Sequence, residues 1–170
     1  GLHSVRDTIR FAERLVEHLK RWAVVYAAIA AIALWFHAHY GFGLNASPSL
    51  PHRLFLIHKG EMPSRGDFVA FRWAGGGPYP AGVTFIKVLA GMPGDEVTHD
   101  AQGFHLNGVP LGVPKPVSRQ GQPLVPGPTG RIPEGRYYVQ AGHPDSLDSR
   151  YQLTGWIHAS QIIGRADALF

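Results

Sequence analysis

Lys87 stands in VTFIKVLAG (83–91), a run that is apolar on either side of it. On a strand, Phe85 and Leu89 share the lysine's face, and Ile86 and Val88 take the other. Charged residues are rarely placed inside such a run. A buried ammonium is costly, so its pKa falls and the neutral amine becomes a competent general base. A lysine that snorkels at a strand end, or pairs with a carboxylate, fits the same segment. NASPSLP (45–51) holds Ser47 and Ser49 two apart between Pro48 and Pro51. The segment is stiff and extended. It reads as a nucleophile carrier or as a Ser/Pro linker. HPDSLDSRY (143–151) gathers Ser146, Asp148, Ser149 and Arg150 between the apolar stretches RYYVQ and GWIHASQII. By itself it reads as an Asx-type turn with a surface ion pair between Asp148 and Arg150.

Ten histidines are present, but a Ser–His–Asp triad is disfavoured. His52 is too close in sequence to Ser49 for an easy approach. His143 borders the Asp148 segment, where Lys87 already supplies a base. No His pair with metal-ligand spacing lies on a helix outside the apolar run, and His37 and His39 read as interfacial, so no metal is expected. No cofactor motif is found.

Three regions must position these groups. Residues 4–21 read as an amphipathic helix. Ser4 and Asp7 have capping-box spacing. Val5, Ile9, Ala12, Leu15, Val16 and Leu19 form one stripe, and the other faces are charged. The helix either packs on the domain or lies at a membrane surface. Residues 22–44 lack Asp, Glu, Lys and Arg and read as a transmembrane helix, with aromatic residues near both ends. Lys20 and Arg21 just before the span place the N-terminus in the cytoplasm. Ser49 then falls within roughly 17 Å of the membrane exit even if fully extended.

Residues 45–170 hold all 14 prolines and 18 of the 21 glycines. Short apolar alternations at 53–58, 67–73, 83–89, 95–100, 103–108, 136–142 and 155–165 are separated by turn signals. The spacing is that of an all-β domain, not of βαβ units. Residues 110–135, with seven prolines, read as an extended excursion.

The totals exclude more than they assign. At 170 residues and 18.6 kDa there is room for one domain and an appendage. The absence of cysteine removes a disulfide scaffold, a Cys-ligated metal and a thiol nucleophile. A net charge of +4 with no basic run gives no case for nucleic acid.

NASPSLP, FIKVLAGMPGDEV, FHLNGVPL and PDSLDSRY follow an N-terminal span in this order. Together they resemble the type I signal peptidase family of membrane-anchored Ser/Lys proteases, and most closely the TraF-type conjugative-transfer peptidases. The resemblance covers about residues 44–165. It implies a mainly β, signal-peptidase-like catalytic domain behind the amphipathic and transmembrane helices. It implies that Ser49 is the nucleophile and Lys87 the base. It implies that Ser47 and the Ser49 N–H serve the oxyanion, and that Ser146, Asp148 and Arg150 support the site. Pro93, Gly94 and Asp95 would form the turn after the lysine strand. A bacterial inner-membrane protein with a periplasmic domain is implied. So are membrane lipid, an exported pilin or other preprotein as substrate, and type IV secretion components as partners, with cyclisation by acyl transfer as a further outcome. A general signal peptidase and a non-catalytic membrane-tethered scaffold are the rival readings. Two positions depart from the TraF-type pattern. Arg53 replaces a glycine, and Gly155 comes two residues late after Arg150-Tyr151.

Overall fold

Leu2 to His39 contains no glycine and no proline, and the whole stretch is one helix, α1 (Leu2–His39). The computed structural model describes residues 2–45, 51 and 53–170. Two compact units follow the chain, residues 1–39 and 40–170.

α1 differs from its expected form in three ways. The boundary at 21/22 is a change of polarity with no break in the helix. Ser4 is inside the helix rather than its cap, and its carbonyl accepts the Thr8 hydroxyl at 2.8 Å. The helix also ends at His39, and Tyr40–Leu44, expected to complete the span, is strand β1. Two glycines explain that end. Each costs a helix about 1 kcal/mol relative to alanine. In β1, Gly43 lies close against Ile86, whose Cδ1 a Cβ at this position would meet at 2.5 Å.

The second unit is built of strands. After β1 come β2 (Leu54–Lys59), β3 (Phe68–Arg72), β4 (Thr84–Gly91) and β5 (Glu96–Asp100). Next are β6 (Gly103–Leu106), β7 (Val109–Gly112), β8 (Gly130–Arg131) and β9 (Arg136–Gln140). β10 (Ile157–His158) and β11 (Ile162–Ala168) close the series. Among the described residues they form a larger sheet in the order β1-β2-β11-β3-β4-β9-β10 and a smaller one in the order β7-β6-β5-β8.

The pairing is antiparallel, and its register decides which side chains are buried together. Ala70 opposite Ile86 and Phe68 opposite Val88 face one core with Phe55, Ile57 and Ala166. Val69 opposite Lys87 and Phe71 opposite Phe85 face the other way, toward a core of Trp73, Leu89, Val139 and Ile157. β4 is therefore covered on both faces. A third core, of Val97, Phe104, Leu106, Leu111, Ile132 and Tyr138, fills the smaller sheet.

The Pro-rich excursion is more ordered than its composition suggests. Its first residues form β7, an edge strand where Pro110 is tolerated because edge positions need not donate. Residues 130–131 form β8. Between them the chain lies along 149–152. The Gly127 N–H donates to the Arg150 carbonyl at 2.7 Å, and the Gln152 N–H donates to the Val125 carbonyl at 2.9 Å. Gly127 must be glycine in this arrangement, since a Cβ would meet the Ser149 carbonyl at 2.3 Å.

Candidate active site

Lys87 occupies the middle of β4 and is 6% exposed. Its neighbours on the same face are apolar, and its Nζ lies 5.7 Å from the centre of the Phe85 ring. Among the described residues no hydrogen bond to this amine is seen. Burial is the largest influence on its proton affinity and lowers the pKa to about 8. The nearby Asp148 carboxylate pulls in the opposite direction, and the Arg150 guanidinium adds to the lowering. A substantial fraction of this lysine is thus neutral at mildly alkaline pH.

Asp148 and Arg150 lie in the turn after β9. Asp148 is 0% exposed and Arg150 is 4% exposed. Arg150 Nε donates to Asp148 Oδ1 at 2.8 Å. The same oxygen accepts the Arg150 N–H at 3.0 Å, and Oδ2 accepts the Ala141 N–H at 2.9 Å. Arg150 Nη2 donates to the His143 and Ser146 carbonyls, each at 3.2 Å. The pair is a buried, fully hydrogen-bonded unit, not the surface ion pair that the segment alone suggests. The excursion runs alongside this turn, bonded to the main chain of Arg150 and Gln152.

Ser149 was a plain turn residue in the sequence, yet it is buried and joins this turn to β9 in both directions. Its Oγ accepts the Val139 N–H at 2.9 Å, and its own N–H donates to the Val139 carbonyl at 3.0 Å. Ser146 is half-buried. Its hydrogen bonds seen here are main-chain ones, to His143 and from Arg150. Ser47 and Ser49, with the rest of residues 46–50, lie outside the described residues, as does His52.

The turn expected after the lysine strand is present, and it carries a polar cluster whose partners sequence reasoning did not foresee. Pro93 and Gly94 turn the chain from β4 to β5, and Asp95 follows. Its carboxylate accepts Arg65 Nη1 at 2.5 Å and Nη2 at 3.2 Å, the Met92 N–H at 2.8 Å and Asn107 Nδ2 at 3.0 Å. The Arg65 hydrogen bond is the first cause that holds Asp95 at about 2. This cluster ties the turn after the lysine strand to the smaller sheet. The partners are 30 and 12 residues from Asp95, beyond the reach of local pattern reading.

The late glycine also has a structural counterpart. Residues 151–155 make a turn in which the Gly155 N–H donates to the Tyr151 carbonyl at 2.9 Å, with Gly155 at φ +58°. The turn sets Leu153 against Gly76 and Gly77, where a Cβ on either would be 2.8 Å from a Leu153 methyl. Among the described residues no group of His, Asp or Glu side chains is arranged to hold a metal ion.

A buried lysine with lowered proton affinity, beside a buried Asp–Arg pair and after a long apolar helix, can now be set against known proteins. The sequence model of the signal peptidase family, peptidase S26, matches residues 15–170. The chain belongs to the signal peptidase family. Members of this family are serine proteases that act on preprotein substrates. Among solved structures, the chain is similar to a signal peptidase I from Enterococcus faecalis V583. The two are 23% identical, over 62% of this chain and 97% of that one, with a TM-score of 0.40. No curated protein matches. Among the described residues, one helix, near the N-terminus, is long and apolar enough to cross a membrane, with mean hydropathy 1.5 in the candidate span.

Proposed function

We propose that the protein is a membrane-anchored serine endopeptidase in which Ser49 and Lys87 form the catalytic dyad. The observation that carries this reading is Lys87 itself, a lysine held in an apolar core at a pKa of about 8. In the proposed reaction neutral Lys87 Nζ takes the Ser49 hydroxyl proton as Oγ attacks the scissile carbonyl. The Ser47 hydroxyl and the Ser49 N–H donate to the oxyanion. The tetrahedral species collapses, and the leaving amine takes the proton back from the Lys87 ammonium. Water, or the substrate's own terminal amine, then resolves the acyl-enzyme. A tethered amine competes with water through its high effective concentration.

Ser146 is assigned the orientation of the Lys87 amine, and the Asp148–Arg150 pair the support of the turn that carries Ser146. The substrate is an exported pilin precursor, as the TraF-like order of motifs suggests. α1 anchors the enzyme in a bacterial inner membrane with its N-terminus in the cytoplasm. The catalytic domain is then periplasmic, and α1 and β1 are consecutive without a linker residue.

The test is the intact mass of the pilin encoded nearest this gene, co-expressed with wild type and with Ser49→Ala. Identical masses from the two would remove this substrate and the protease reading for it. A cleaved linear product with wild type alone means hydrolysis. A product one water lighter means cyclisation.

A further inference from the structure

Residues 113–127 of the proline-rich excursion fold back on themselves. Val117 bridges Pro123, the Leu124 N–H donates to the Pro116 carbonyl at 2.9 Å, and the Ser118 N–H donates to the Gln122 carbonyl at 2.8 Å. The Gly121 N–H closes the tip on the Ser118 carbonyl at 3.0 Å, with Gly121 at φ +78°. Both legs of this hairpin are tied to Tyr151. On one leg the Lys115 N–H donates to the Tyr151 hydroxyl at 3.0 Å, and on the other Pro126 bridges Tyr151. Held in this way, the hairpin brings two cations to one carboxylate. Arg119 donates to Asp145 Oδ2 from Nε at 2.9 Å and from Nη2 at 2.6 Å, and Lys115 Nζ donates to Asp145 Oδ1. The partners are 30 and 26 residues from Asp145.

We propose that Asp145 is a positioning residue of the proposed protease. Its carboxylate, fixed to Lys115 and Arg119, sets the place of Ser146 and, through Ser146, the direction of the Lys87 amine. The inference rests on the Ser49/Lys87 reading and deepens it.

The turn that carries Ser146 is pinned at two places. Arg150 Nη2 holds it by the His143 and Ser146 carbonyls. Lys115 and Arg119 hold it by the Asp145 side chain, one residue before Ser146. One residue after Ser146, Leu147 packs against the core of Val69, Leu89 and Val139, the core toward which Lys87 faces. Ser146 therefore stands between a side chain seated in the lysine's own core and a carboxylate fixed to the hairpin. The two holds differ in kind. The Arg150 side chain is 5% exposed, whereas those of Lys115 and Arg119 are 45% and 67% exposed. Ion pairs made by such exposed cations add little to stability. What three convergent, charge-assisted hydrogen bonds do supply is direction. A second-row group that only fixes direction acts on the rate of the chemical step. It does not act on the binding of substrate.

Asp145→Asn keeps the shape of the side chain and removes its charge. The full chain is assayed in detergent with the purified pilin precursor as substrate. In Asp145→Asn, kcat should fall about tenfold while KM stays within about twofold of wild type. Asp145→Glu keeps the charge and should recover most of the rate. Lys115→Gln with Arg119→Gln should lose as much as Asp145→Asn. Combining all three changes should lose no more, because the same contact is broken only once. An unchanged kcat in Asp145→Asn, a KM that rises in its place, an Asp145→Glu no better than Asp145→Asn, or fully additive losses each overturn the inference. Amide exchange over residues 143–150 reads the contact without any substrate. It should quicken in Asp145→Asn and in the double glutamine variant, and exchange equal to that of wild type also overturns the inference. A wild type that leaves the pilin intact, or a Ser49→Ala protein that still cleaves it, removes the protease reading. The catalytic part of this role then goes with it, whatever the exchange shows.

Discussion

A lysine is useful as a base only when it is short of its proton, and for Lys87 burial is the largest cause that lowers its proton affinity. The Asp148–Arg150 pair acts on the same amine with opposite signs, the carboxylate raising its proton affinity and the guanidinium lowering it. The proposed dyad therefore predicts that kcat/KM for a peptide substrate rises with pH through a limb near 8, where a solvent-exposed lysine would give a limb near 10.4. Asp148→Asn removes the raising influence and keeps the lowering one, so the limb should move to lower pH. The same substitution leaves a buried guanidinium unpaired and should cost about 3–5 kcal/mol of stability. The profile is best taken at reduced temperature for that reason. A limb near 10 in wild type, or one unmoved in the variant, contradicts this account of Lys87.

At the scale of elements, the Asp95 cluster fixes the turn by which the lysine strand leaves the larger sheet. Asp95→Asn keeps the shape but surrenders the ion pair with Arg65, and should destabilise the fold by about 2 kcal/mol. Because Asp95 is held below its ordinary value, its contribution is complete above about pH 4 and lost as pH falls toward 2. Thermal melts of wild type and variant should therefore converge at acid pH, and a constant gap would show that the carboxylate charge is not the cause. Asp95 also marks a limit of what the sequence carries. Strands such as VTFIKVL were legible because alternation is local, and so were the two faces of β4. β1 was not, because YGFGL prolongs an apolar run, and only its pairing with β2 makes it a strand. GWIHASQII read as one segment is two strands, β10 and β11. Between them lies a 3-10 turn at Ala159–Gln161, closed by the His158 side chain accepting the Ser160 N–H and by Gln161 Oε1 accepting the His158 N–H. Lys87 and the Asp148–Arg150 pair were legible as residues. Their burial was not, because Lys87 is covered by strands from distant parts of the chain, and the Asp148–Arg150 turn is lined by a proline-rich excursion from some 25 residues upstream.

For the molecule as a whole, these groups set opposing demands on stability and function. In the unfolded chain Lys87 holds its proton up to about pH 10.5, but in the folded protein only up to about 8. Between those values the unfolded state binds more protons, so folding stability must rise with pH across that window. Below it, the full cost of burying an ammonium is present. Lys87→Met keeps the volume and the apolar contacts while removing the charge, and should stabilise the protein at pH 7 by on the order of 2 kcal/mol. The same change should abolish cleavage if Lys87 is the base. The difference between the two proteins should shrink as pH approaches 10, since the wild-type amine is neutral there in the folded state. Melting temperatures of the full chain in detergent at pH 7 and pH 10 measure both effects. A Lys87→Met protein less stable than wild type at pH 7 would mean that the lysine is held by a partner that burial alone does not reveal, and that its low proton affinity is not what the fold maintains.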